Sequence, residues 1–130
     1  MARDWPRDLA LLVARFLIGI LFIGGAVQKV VSPGDAMGLL RDWGLPAALV
    51  WPALVFNASV GAGLVLGFRT RLLACLAAGY CAFTSLFHFL PDDPWQMTIF
   101  VKNWSIAGGC LALAVAGAGR FALDARKPGR

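Results

Sequence analysis

Charge is scarce in this chain. Aspartate, glutamate, lysine and arginine make up 15% of its 130 residues, against about 25% in ordinary soluble domains. Histidine occurs once, as His88 within TSLFHFLPDDPWQMTIFVKNW, and one histidine excludes bis-histidine haem ligation. The three cysteines, Cys75, Cys81 and Cys110, lie inside apolar runs without CxxC or Cys/His ligand spacing. They therefore read as small buried hydrophobes, and no zinc or thioredoxin-like site is expected. A CxxCH haem motif and a glycine-rich dinucleotide turn after a strand are also missing, so the residues alone imply no metal or redox cofactor.

What takes the place of charge is hydrocarbon. Hydrophobic residues make up 59% of the chain, and the mean hydropathy is +0.73. A soluble fold of this length cannot hide so much apolar surface, so a lipid bilayer is the expected solvent. The net charge is +5, but the Lys and Arg sit between apolar runs, not in an aromatic-interleaved patch. That pattern excludes nucleic acid as the expected partner. The length suits a single domain over residues 1–130.

Crossing the hydrocarbon core takes about 20 mostly apolar residues. Four runs qualify: 9–27, 47–68, 72–90 and 98–119. Backbone groups in lipid must bond internally, so each run is expected to be helical. The predicted fold is all-α, a polytopic four-helix membrane bundle. The first run exceeds the apolar core of about 7–15 residues found in signal peptides, and it reads as a retained helix. Between the first two runs, SPGDAMGLLRDWG offers Ser32 as a helix cap and Pro33 as the first helical residue. Met37, Leu40 and Trp43 share one face and Gly44 ends the segment, which predicts a short amphipathic helix on the membrane surface. Small residues are expected where helices touch: Gly63 and Gly67 in the second run, Gly108, Ala112 and Ala116 in the fourth, and Gly19, Gly24 and Gly25 in the first.

Lys and Arg set the sidedness. Arg3, Arg7, Arg69, Arg71, Arg120, Arg126, Lys127 and Arg130 fall on one side, and Lys29, Arg41 and Lys102 on the other. The positive-inside rule then puts both termini in the cytoplasm. Trp43, Trp51, Trp95 and Trp104 fall near the outer boundary and Trp5 near the inner one, as interfacial anchors do.

Polar residues inside the spans can be ranked by depth at about 1.5 Å of rise per residue. Arg15 and Tyr80 come out deepest toward the inner edge, Asn57 nearer the middle, and His88, Lys102 and Asn103 together near the outer edge, with Gln28 and Lys29 slightly above. Gln28, Lys29, His88, Lys102 and Asn103 thus form a candidate ligand layer of cationic and neutral donors suited to an anion or a quinone carbonyl. Histidine titrates near neutrality in water, which suits it to proton transfer. The plainer reading is solvated interfacial residues with a snorkelling lysine. Asp92 and Asp93 read as solvation of a tight turn. Arg15 is the second candidate, because an arginine at mid-span costs about 2.5–3.5 kcal/mol even on lenient scales. No acidic residue lies inside any of the four runs, so neutral acceptors, water or snorkelling must meet its charge. Asn57, Ser59 and Tyr80 lie at compatible depths.

Several segments in order, RFLIGILFIGGAVQKVVSP, GAGLVLGFRTRLLA, FHF, VKNWSIAGGCLALA and GAGRFALD, resemble the DoxX family of small four-helix membrane proteins. The resemblance runs from about Arg15 to Asp124, and Arg15, Lys29, Arg71, His88, Lys102 and Asn103 occupy recognisable motif positions. It implies association with membrane redox assemblies, and with a quinone in the related DoxD branch. One departure stands out: Asn57 takes the place where relatives often carry a helix-2 glutamate, and an amide cannot carry a proton at ordinary pH.

The expected role is a bacterial inner-membrane accessory or scaffold protein of a redox or stress-protection assembly, binding a quinone-like or lipid ligand at the outer polar layer. Its partners would be the bilayer, a redox protein and, through the glycine faces, a second copy of the chain. An alternative is a quinone-linked oxidoreductase subunit with His88 and Lys102 on the quinone. A small transporter or channel is a further alternative, although clear inverted repeats are not evident.

Overall fold

The structure is a computed structural model and describes residues 4–126. Among these residues every regular element is helical: α1 (Trp5–Val31), α2 (Pro33–Asp42), α3 (Val50–Leu66), α4 (Thr70–Ser85) and α5 (Pro94–Ala116), with short 3-10 turns at Ala47–Leu49, Leu86–His88 and Leu123–Arg126. Counting the adjoining 3-10 turns, four segments are long and apolar enough to cross a membrane: Trp5–Val31, Ala47–Leu66, Thr70–His88 and Pro94–Ala116. The shortest, at 19 residues, spans roughly 28 Å at the helical rise, close to the thickness of a hydrocarbon core. Large apolar side chains such as Leu17, Val55, Val101, Leu111 and Val115 lie exposed on the outer faces. This polarity is that of a helix bundle whose solvent is lipid.

The first span is longer than its apolar run. Its helix continues through Gln28 and Lys29 to Val31, because polar residues at a membrane surface need not interrupt backbone hydrogen bonding. Ser32 alone separates α1 from α2. It holds the cap position of α2, but its side chain makes no capping bond, and its own N–H donates to Gln28 O at 2.8 Å. Pro33 opens α2 and Gly44, at φ +74°, lies just beyond it. No residue of α2 is fully buried. Met37 and Leu40 are half-buried, and the Trp43 ring meets Phe87 edge-on at 5.7 Å. That contact ties the surface helix to the end of α4.

Asp93 does more than solvate a turn. Its Oδ1 accepts from Trp95 N at 3.0 Å and Gln96 N at 3.2 Å, so it caps α5, with Pro94 at the first helical position. For this reason α5 begins four residues before the apolar run.

The spans pair as two helical hairpins, α1 along α3 and α4 along α5, with sparser contact between the pairs. The core is built from small side chains: Ala74, Ala77, Ala78, Cys81, Ala107 and Cys110 join Phe22, Val60, Leu64 and Leu113. Cys81 and Cys110 are buried as expected, but Cys75 lies on an exposed face.

The small-residue contacts differ from the sequence expectation. A Cβ on Gly19 would lie 2.8 Å from Gly61 O, and one on Gly61 would lie 2.8 Å from Gly19 O and 2.9 Å from Ile23 N. This pair is where α1 and α3 cross most closely. Gly63 instead admits Leu73 of α4, whereas Gly24 and Gly108 face no neighbour within 4 Å. On α5 the packed residues are Ala107, Cys110 and Leu113, while Gly108 and Ala112 point outward. A spacing of four defines a continuous stripe on a helix but not which stripe meets a partner. Gly67 lies past the end of α3 at φ +76°. There Phe68 N bonds Gly63 O and Gly67 N bonds Leu64 O, the paired bonds of a glycine-terminated helix.

Candidate functional site

Of the expected outer layer, the structure brings little together. Gln28 and Lys102 are exposed, while Lys29, His88 and Asn103 are half-buried. No hydrogen bond or ion pair joins any two of these five among the described residues. His88 Nδ1 lies 2.7 Å from Gln96 Oε1. An amide oxygen only accepts, so Nδ1 carries the proton in this pairing. The bond holds the turn after α4 against the first turn of α5. Lys102 sits at the edge of an open groove of about 580 Å³ along one face of α5, whose other lining residues are Pro94, Met97, Thr98 and Val101. The groove has an apolar wall with a single cation beside it.

Deeper in the bundle, Asn57 is buried and its Oδ1 accepts from Tyr80 Oη at 3.4 Å. The Tyr80 ring stacks on Phe56 at 4.9 Å and leans on Phe22 at 5.8 Å. Lys29 reaches toward the same place: its Nζ and Asn57 Oδ1 lie 3.9 and 3.4 Å from the point a Cβ on Gly25 would occupy.

Arg15 is completely buried, and its partners are neither Asn57 nor Tyr80. Nε donates to Ala118 O at 3.1 Å, and Nη1 to Leu64 O at 3.0 Å and Val65 O at 2.9 Å. Nη2 donates to Phe121 O. The charge is therefore met by backbone carbonyls, two of them in the last turn of α3. A helix end leaves four carbonyls without internal partners and carries partial negative charge, so an arginine within a span finds its hydrogen-bond acceptors there.

The same logic extends across this end of the bundle. At the end of α5, Gly117 N bonds Leu113 O at 2.8 Å, Arg71 Nη1 donates to Ala114 O and Val115 O, and Arg7 Nη2 donates to Ala116 O at 3.2 Å. All four terminal carbonyls of α5 are thus met. Asp124 caps α4, its two oxygens accepting from Arg69 N at 2.7 Å and Thr70 N at 2.9 Å. Asp8, buried in the first turns of α1, accepts from Arg120 N at 3.1 Å and lies 3.7 Å from the Arg120 side chain. Residues 117–126 are thereby bound to α1, α3 and α4. Arg7, Asp8, Arg71 and Asp124 were not legible as one cluster from spacing. Only the ordered segments RTR and GAGRFALD marked two of them. Arg3, Lys127 and Arg130, counted toward sidedness, lie outside the described residues.

Groups of three or more His, Cys, Asp or Glu able to hold a metal ion do not occur among the described residues.

Comparison with known proteins adds the lineage. The DoxX family profile matches residues 10–90. The inner membrane protein YqjF of Escherichia coli (strain K12) is 31% identical over 119 residues, covering 91% of this chain and 92% of its own. The inner membrane protein YphA of the same organism is 34% identical over 139 residues, covering 92% and 91%. No solved structure matches significantly. With the profile spanning more than half of its length and both relatives aligned nearly end to end, this four-helix membrane protein belongs to the DoxX family.

Proposed function

We propose that the protein is a bacterial inner-membrane accessory subunit of a redox or stress-protection assembly, and that it holds a quinone-like or lipid amphiphile against α5. The observation that carries this reading is the groove along α5, with apolar Pro94, Met97 and Val101 beside the exposed cation of Lys102. An isoprenoid tail or acyl chain gains from an apolar wall, and a polar head carrying a carbonyl or anionic oxygen gains from an ammonium at its rim. His88 enters through Gln96, as a brace for the first turn of α5 and not as a ligand. The inner-membrane placement draws on the printed names of the two relatives, and the redox association on family resemblance. The exposed Gly108 and Ala112 leave a face of α5 open to a protein partner or a second copy. The whole chain, 1–130, acts as one unit. The excess of arginine at the end bearing the termini supports a cytoplasmic location for both, which reporter fusions to either terminus would test.

The decisive experiment is photolabelling of the full chain in bilayer nanodiscs with an isoprenoid benzoquinone probe. Labels are expected between Pro94 and Lys102, and Lys102→Gln should reduce them several-fold while leaving the fold intact. Labels spread evenly over the lipid-facing helices, or unaffected by Lys102→Gln, would remove this reading. Quinone reduction by the purified chain with a simple donor would favour the oxidoreductase alternative over the scaffold.

A further inference from the structure

A second cavity, of about 420 Å³, opens at the opposite end of the bundle from the Lys102 groove. It lies between the start of α4 and the end of α5, and Arg69, Thr70, Arg71, Gly117, Gly119 and Asp124 border it. The contacts that bind residues 117–126 leave the Arg69 guanidinium and Arg71 Nη2 unused, and the proposed quinone groove uses neither. Arg69 is exposed, and its guanidinium makes no hydrogen bond or ion pair among the described residues. Thr70 is 1% exposed, and its Oγ1 is buried without a hydrogen-bond partner among the described residues. Arg71 meets Ala114 and Val115 through Nη1 alone. Its Nη2 lies beside Gly117, 2.9 Å from where a Cβ there would be, and makes no hydrogen bond among the described residues. Asp124 is the one acid on the wall, and both its oxygens are engaged by the Arg69 and Thr70 amides.

Two guanidinium groups bordering one cavity, each with N–H donors to spare, suit an anion with several acceptor oxygens. Phosphate fits that description: its oxygens accept bidentate bonds from more than one arginine. Depth agrees with the chemistry. The cavity lies at the helix ends, the level of lipid headgroups, where basic pockets between spans bind anionic heads. We propose that this cavity binds a phosphate group, of an anionic phospholipid headgroup or of free phosphate, with the Arg69 and Arg71 guanidinium groups as its donors.

The test uses the full chain in detergent, stripped of lipid. It is titrated with short-chain phosphatidylglycerol, short-chain phosphatidylcholine and inorganic phosphate, and binding is read by native mass spectrometry and by the thermal unfolding midpoint. Phosphatidylglycerol is expected to bind and raise the midpoint more than phosphatidylcholine. If inorganic phosphate binds as well and competes, the site takes free phosphate; if only the lipid binds, it is a headgroup site. Arg69→Gln should weaken binding about tenfold, the scale of one lost charge-assisted hydrogen bond, with partial recovery in Arg69→Lys. Arg71→Lys keeps the charge but loses the planar fork, so it tests the site even if Arg69→Gln folds poorly, and it too should weaken binding. Arg41→Gln, in α2 at the far end, should leave binding unchanged, and binding of inorganic phosphate should be untouched by Lys102→Gln, which separates this site from the quinone groove. Absence of binding by both phosphatidylglycerol and phosphate would overturn the proposal. Equal losses in Arg69→Gln and Arg41→Gln would do so too, because they would indicate general charge attraction.

Discussion

Arg15 is the largest fully buried side chain of the protein, and its four carbonyl contacts come from α3 and from the segment after α5. The guanidinium suits this task because its planar fork presents five donors at once. A lysine would bring one compact ammonium with three donors on a shorter reach and leave at least one of the four carbonyls unmet. Arg15→Lys is therefore expected to destabilise the bundle by about 3 kcal/mol, the order set by buried polar groups that lose their partners. The check is reversible unfolding in mixed micelles, and a variant as stable as the parent would show that water already solvates this site. The sequence left neutral acceptors, water and snorkelling open for Arg15, and the structure chose carbonyls. Which acceptors could not be read from the sequence, because every residue carries a backbone carbonyl and only the fold decides which ones lie at a helix end nearby.

Among the elements, the crossing of α1 and α3 rests on Gly19 and Gly61, whose missing side chains let the two backbones touch. The atoms a Cβ on Gly61 would meet include backbone, Gly19 O and Ile23 N, which cannot rotate away. Gly61→Ala should push the helices apart and cost about 1–3 kcal/mol, the range for overpacking. Gly108→Ala, facing no neighbour, should be neutral. A difference in micellar unfolding free energy between the two variants tests this directly, and equal effects would contradict the crossing. The number of spans and the surface helix were legible because lipid demands long apolar runs and because Pro33 and Gly44 punctuate the chain. The start of α5 was misjudged because a cap such as Asp93 acts through geometry that hydropathy does not report.

For the whole molecule, two helical hairpins with sparse mutual contact are joined by residues 117–126. Asp124 holds the start of α4, Arg71 holds the end of α5, and Arg15 reaches from α1 to Ala118 and Phe121. This clasp does for the bundle what extra hydrophobic burial does in a soluble domain, since lipid tails compete equally for apolar faces. Asp124→Ala should cost about 1 kcal/mol, the usual worth of a helix cap. Truncation after Ala118 should cost distinctly more, because it also removes the Phe121 acceptor of Arg15. Circular dichroism should show the spans still helical in both variants, with lowered unfolding midpoints. A truncated chain as stable as the full one would mean that the hairpins hold without the clasp.

Hydropathy, punctuation and the scarcity of charge were enough to specify four spans, a surface helix and a lipid solvent, because each of these depends on local composition along the chain. The pairing of α1 with α3, the carbonyl partners of Arg15, the brace between His88 and Gln96, and the two cavities depended on the tertiary structure. They join residues that are far apart in sequence or placed by a turn, and their energy comes from backbone groups and close approach, which side-chain identity alone does not encode.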